Sequence, residues 1–202
     1  MKYGTSGINN LQRAAYGYNR WSMSGVRQYL NSDLAANAWW APQHPFDRPP
    51  QQLSTTRGFM AGLPNDFLNI VAPIRITTAL NTVSDSDIGT TEVTTDKFWL
   101  PSLEEEYCAP QLANVEGPYF EYWKERLGLN APQASGGANA NANHIRYLIS
   151  NHTSAQNVRL RSAYRGTTNS TWFVHTAGYV YSTGYATYAL ALAPACAICS
   201  QK

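Results

Sequence analysis

The sequence predicts an α+β fold, with helices mainly in the first half and short antiparallel strands in the C-terminal half. Three observations predict it. Helical spacing and capping signals fall before residue 130. A low-complexity stretch, "APQASGGANANAN" (131–143), then interrupts the chain. After it come the short runs "IRYLIS", "NVRLRSA", "TWFVH", "YVYST" and "YALALAPACAI", separated by Gly, Ser, Thr and Asn. The chain has 202 residues, of which 44% are hydrophobic and 12% aromatic, with no internal repeat. That is enough chain for a single domain over residues 1–202 with one core.

Taken in order, "NRWSMSGVRQYLNSD" predicts a short helix capped by Ser22 or Ser24, with Val26, Tyr29 and Leu30 on one face. In "AWWAPQHPFDRPPQQ", Pro42, Pro45, Pro49 and Pro50 exclude a helix interior or central strand. Trp39, Trp40 and Phe46 are expected to pin that loop to the body. "GLPNDFLNIVAP" predicts a second helix, with Pro64 in its first turn, Phe67, Ile70 and Val71 inward, and Pro73 as its stop. "IRITTALNTV" has the β-branched content of a strand, and "SDSDIGTTEVTTD" reads as a polar loop. "KFWLPSLEEEY" reads as a strand entering a helix, because Ser102 and Glu105 have capping-box spacing. "GPYFEYWKERLG" predicts one or two more helical turns.

Charge is low, at 14% of residues, and the net charge is +2. Neither a nucleic-acid partner nor an anionic membrane is expected from that balance. No apolar run reaches the length of a membrane span, and "MKYGTSGINN" lacks the apolar region of a secretory signal. Cys108, Cys196 and Cys199 do not make a disulfide framework.

From Gly166 to Gln201 there is no Lys, Arg, Asp or Glu. Within this run, "TWFVHTAGYVYST" (171–183) reads as a hairpin turning at Thr176-Ala177-Gly178. Alternation places Trp172, Val174 and Val180 on one face and Phe173, His175, Tyr179 and Tyr181 on the other. The first face is expected to be core. The second has the Tyr, Ser, Thr, Gly and Asn composition of a paratope, in which Tyr supplies contact area at low rotamer cost. The alternative is an ordinary Tyr-rich strand surface.

"NRWSMSGVRQYLNSD", "TTDKFWLPSLEEEY", "VRLRSAYRG" and "ALAPACAI" together resemble the variable proteins of bacterial and phage diversity-generating retroelements. The resemblance spans residues 8–198 in order. It implies a C-type-lectin-like fold, related to that of formylglycine-generating enzymes. In that family a reverse transcriptase miscopies template adenines, so an AAC codon becomes NNC, a set without Lys, Glu, Gln, Met or Trp. Between Thr167 and Ile198 only Trp172 lies outside that set. The fixed pattern maps onto Arg159, Leu160, Arg161, Ser162, Gly166, Trp172, Val174, Gly178, Val180, Ala193, Pro194, Ala195 and Cys196. One departure is Val158, where many relatives carry Trp before "LRS".

The resemblance implies a variable ligand-binding region over 164–190. Its implied display positions are Tyr164, Thr167, Thr168, Asn169, Ser170, Phe173, His175, Tyr179, Tyr181, Ser182, Thr183, Gly184, Tyr185, Thr187, Tyr188 and Leu190. It implies a non-catalytic receptor-recognition protein without a cofactor, whose partner is a protein or another cell-surface ligand. Its place would be a phage tail or capsid, or a bacterial surface.

Other chemistries have weaker signals. Cys196-x-x-Cys199 has the spacing of half a metal or redox site, and formylglycine-generating enzymes use cysteines, so an oxidoreductase or metal-binding protein is the alternative reading. His44, His144, His152 and His175 are scattered singly. Cys196 is expected to pack in the core and Cys199 to lie in a tail. Glu104, Glu105 and Glu106 invite an acid role, but a helix first turn also favours carboxylates. Asp85 and Asp87 lack the spaced ligands of a calcium loop.

Overall fold

The computed structural model describes residues 10–51, 53–80, 91–108, 115–132, 140–164 and 166–199. Asp85, Asp87 and positions 133–139 of the low-complexity loop lie outside them, as does the Thr183 side chain. The fold is mixed α and β. Helices α1 (Asn10–Tyr16), α2 (Gly25–Leu30) and α3 (Asn65–Ile70) precede strands β1 (Val71–Ala72), β2 (Ile74–Ala79), β3 (Thr91–Asp96) and β4 (Phe98–Trp99). Helix α4 (Glu121–Leu127) follows, then β5 (Arg146–Tyr147), β6 (Ala155–Gln156), β7 (Val158–Ala163), β8 (Ser170–Val174), β9 (Val180–Tyr185) and β10 (Ala195–Ile198). Helices and strands are thus interleaved more than expected, with β1–β4 before residue 100 and α4 after 120.

All the strand ladders are antiparallel. Their orders are β1-β10-β4, β2-β3, β5-β6 and β7-β8-β9. Ser24 caps α2, its hydroxyl accepting from the Val26 and Arg27 amides. Ser22 instead donates to Glu92 at 2.6 Å. Leu30 is fully buried, with Val26 and Tyr29 packed beside it.

Several sequence expectations need correcting. Residues 91–96, read as polar loop, form β3 against the whole length of β2. Its polar alternation conceals a buried face, where Asp96 accepts from Trp21 Nε1 at 3.0 Å and Arg27 Nε at 2.8 Å. Val71 leaves α3 and begins β1 instead. Trp39 does anchor the Pro-rich loop, donating to the Thr56 carbonyl at 2.8 Å, but Phe46 is exposed. Ser102 and Glu105 do make the reciprocal capping-box bonds, at 3.1 and 3.0 Å. No α-helix follows them; residues 103–107 are turns.

The apolar residues gather in two clusters where one core was expected. One joins Trp21, Leu30, Val71, Ile76, Phe98, Trp99 and Leu100. The other joins Leu103, Cys108, Val158, Leu160, Trp172, Val174 and Val180. Strand β7 supplies Val158 and Leu160 to the second cluster, and all its residues are buried, including Arg159 and Arg161.

Candidate ligand-binding surface

The β8–β9 hairpin turns where the sequence places the turn. The His175 amide donates to the Tyr179 carbonyl, and the Gly178 amide to the His175 carbonyl, both at 2.8 Å. Gly178 has φ +84°, and a Cβ there would stand 2.1 Å from the Asn141 carbonyl oxygen. Only glycine meets both conditions. Trp172, Val174 and Val180 are buried at 0–1% exposure, as alternation predicts.

On the opposite face the rings of Phe173, His175, Tyr179 and Tyr181 touch in series. His175 and Tyr179 stack at 4.3 Å, with an interplanar angle of 10°. Tyr181 meets Phe173 at 5.8 Å and Tyr179 at 6.1 Å, both edge to face. Tyr181 is exposed, His175 and Tyr179 are half-buried, and Phe173 is buried beneath them. Such edge and offset contacts fix the rings without burying all their area. A second group forms where α1 meets the end of β9. Tyr185 lies 4.7 Å from Tyr16 and 4.9 Å from Tyr188, the last being 52% exposed.

The remaining positions expected to be displayed divide. Thr187 is exposed; Tyr164, Thr167, Ser182 and Leu190 are half-buried. Thr168, Asn169, Ser170 and Gly184 are buried. A residue remote in sequence, Asn19, ties down the backbone of 167–170. Its amide donates to the Thr168 carbonyl at 2.9 Å. Its Nδ2 donates to the Thr167 and Ser170 carbonyls, each at 2.8 Å. The turn before β8 is therefore clamped under the N-terminal segment. Gly184 is buried for another reason: a Cβ there would lie 2.9 Å from Phe173 Cδ1. The arrangement leaves the exposed rings at the hairpin and at the 185–188 turn. Tyr181→Ser should change stability by about 0.5 kcal/mol or less, as thermal unfolding beside the parent protein would measure.

The acidic triplet is tied into buried hydrogen bonds and ion pairs. Arg161 Nη2 donates to Glu105 at 3.1 Å, and Nη1 bonds the other carboxylate oxygen. Glu106 accepts from Arg146 at 2.9 Å and contacts His144 Nε2 at 2.8 Å. Burial pushes the Glu106 carboxyl up, but Arg146 and His144 outweigh it and hold the group below its ordinary value. Glu104 accepts from the Glu116 amide at 2.6 Å.

Glu116, for which the sequence offers no signal, is fully buried at 1% exposure. Burial pushes it up to about 7, against the opposing pull of Arg161, Ser162 and the Ala79 amide, while Glu104 adds to the rise. A carboxyl that holds its proton more tightly folded than unfolded gives its full stability below pH 4.5. That contribution is lost as pH rises through about 7. Glu106 acts oppositely, and its contribution is lost only as pH falls below its ordinary value. Between pH 4.5 and 7.5 the parent is therefore expected to lose on the order of 3 kcal/mol that Glu116→Gln does not lose. Urea midpoints for both proteins across that range check it; parallel profiles would contradict it.

Cys196 lies in β10 among the partly buried residues of the first cluster, and Cys199 is exposed. Burial pushes the Cys196 and Cys108 thiols up, away from the thiolate that redox chemistry needs; Glu106 adds to the rise at Cys108. Among the described residues, no three His, Cys, Asp or Glu side chains are placed to hold a metal. No helix among them is long and apolar enough to cross a membrane.

No curated protein and no solved structure matches the chain. A family model described as a domain of unknown function, DUF6273, matches residues 2–200. That match takes in nearly the whole sequence, and the chain belongs to the DUF6273 family.

Proposed function

We propose that this chain is a non-catalytic recognition protein whose C-terminal face binds a protein or another cell-surface ligand. In this reading the face is diversified by a retroelement, on a C-type-lectin-like fold, and the protein serves a phage particle or a bacterial surface. The observation that carries the reading is the series of four touching rings, Phe173, His175, Tyr179 and Tyr181, backed by the buried apolar side of the same hairpin, Trp172, Val174 and Val180. Pre-ordered Tyr rings give a partner large contact area with little further loss of rotamer freedom. The uncharged composition of 166–201 supports it further, since a mutator working on AAC codons yields this residue set.

Deep sequencing of the gene from a growing population tests the proposal. Substitutions should concentrate in codons 173, 175, 179 and 181 and spare those of Trp172, Val174 and Val180. A near-identical repeat and a reverse-transcriptase gene should lie nearby. Substitutions spread evenly over both faces, with no repeat, would sink the retroelement reading. The non-catalytic part has its own test. A Cys196→Ser, Cys199→Ser double variant should keep its fold and its binding, and native mass spectrometry of the parent should find no stoichiometric copper or zinc.

A further inference from the structure

A cleft of about 470 Å³ separates α1 and the residues after it from the Pro-rich loop and from segment 186–192. Its size suits a small molecule or the end of a peptide. Its lining is unequal in charge: Arg13, Arg20, Arg48, Arg159 and Arg161 are wall residues, and Asp47 is the one carboxylate among the described lining residues. Most of these cations are already engaged. Arg161 is committed to Glu105, and Arg20 donates to Glu92 at 2.8 Å. Arg159 donates to Thr171 Oγ1 and to the Tyr185 and Tyr188 carbonyls, at 2.6–2.9 Å.

Arg13 differs. Its side chain is only 8% exposed. Nε is held by Asp47 at 2.5 Å, and the guanidinium lies 4.5 Å over the Tyr18 ring. Those contacts fix its plane, yet Nη2 is buried without a hydrogen-bond partner. A buried guanidinium nitrogen without an acceptor is costly, and an oxyanion supplies the missing acceptor. Arg48, exposed and adjoining, adds a second positive charge. Trp40, Tyr188 and Leu190 offer aromatic and apolar wall for a ligand body.

We propose that this cleft binds the carboxylate of a ligand with an apolar or aromatic body, with Arg13 Nη2 donating to the carboxylate. One unpartnered guanidinium nitrogen beside an engaged carboxylate suits one singly charged oxyanion better than a phosphate, which needs donors from several groups. The body then rests against Tyr188 and Leu190. The inference goes beyond the recognition surface of the hairpin and does not depend on a retroelement. The carboxylate can belong to a free small acid or to a peptide C-terminus.

Calorimetric titration with N-acetyl-L-phenylalanine and with its amide tests the proposal. The acid should bind the parent with a dissociation constant on the order of 1 mM, and the amide at least about tenfold more weakly. Arg13→Gln should lose about tenfold, and Arg48→Gln, an exposed change that leaves the fold intact, about two- to threefold. Should Arg13→Gln fail to fold, the acid-to-amide ratio and Arg48→Gln decide. Tyr181→Ser should bind the acid like the parent, which separates this site from the hairpin face. Acetyl-Ala-Ala-Phe as free acid and as amide distinguishes the sources. Much tighter binding of the peptide acid assigns a peptide C-terminus, and equal binding assigns a small free acid. Equal binding of acid and amide, no binding of either at about 10 mM, or a folded Arg13→Gln that binds like the parent overturns the proposal.

Discussion

Arg161→Ala is expected to destabilise the fold by about 3–5 kcal/mol, a large share of the roughly 5–15 kcal/mol that holds a domain together. The side chain is fully buried. Its guanidinium donates to the Leu100, Thr77 and Glu116 carbonyls at 2.8–3.1 Å and to Thr78 Oγ1 at 3.2 Å, besides binding Glu105. Removing it strands a buried carboxylate and several acceptors at once. The cost lies in those orphaned groups more than in the pair itself. Arg161→Met combined with Glu105→Met, which removes both charges, should therefore lose less than Arg161→Ala alone. Urea unfolding followed by circular dichroism measures both. A loss under about 1 kcal/mol for Arg161→Ala would show that the buried network contributes little to stability.

Trp172→Ala should also cost about 3–5 kcal/mol. Trp172 is 1% exposed and packs edge to face with Tyr164 at 5.8 Å, inside the cluster of Leu160, Val174 and Val180. Its indole nitrogen has no hydrogen-bond partner. The loss is then one of packing, and Trp172→Phe should recover much of it. Denaturant midpoints of the two variants separate the cases. If Trp172→Phe were as damaging as Trp172→Ala, shape rather than buried area would govern the site.

The parts of the fold legible in the sequence are those governed by neighbours in the chain. Ser24 caps α2 two and three residues away, and Gly178 turns a hairpin whose strands alternate cleanly. The two faces of that hairpin could be read because period two is a local rule. Where the deciding partner is remote, reading failed. Thr168, Asn169 and Ser170 look like display residues until Asn19, some 150 positions earlier, is seen to cover them. Ser102 and Glu105 carry a correct capping-box signal but no helix follows, and the carboxylates of Glu104, Glu105 and Glu106 go to remote partners, the Glu116 amide, Arg161 and Arg146. Strand β3 was hidden by polarity: its inward groups are Thr94 and Asp96, satisfied by one another and by Trp21 and Arg27. Arg13 carried no local signal at all.

Strand β10 lies between β1 and β4, pairing Ala72 with Ala197 on one side and Phe98 with Cys196 on the other. Two strands laid down before residue 100 thus wait for a third that is made almost a hundred residues later. During synthesis, β1 and β4 each keep an edge open until position 198 is free of the ribosome. Contacts so distant in sequence form slowly and only after the intervening chain has closed. A nascent chain halted anywhere in 100–194 should therefore present unpaired strand edges to proteases and chaperones. The closing strand makes synthesis through residue 198 a condition for protection, whatever residues stand at 173–188.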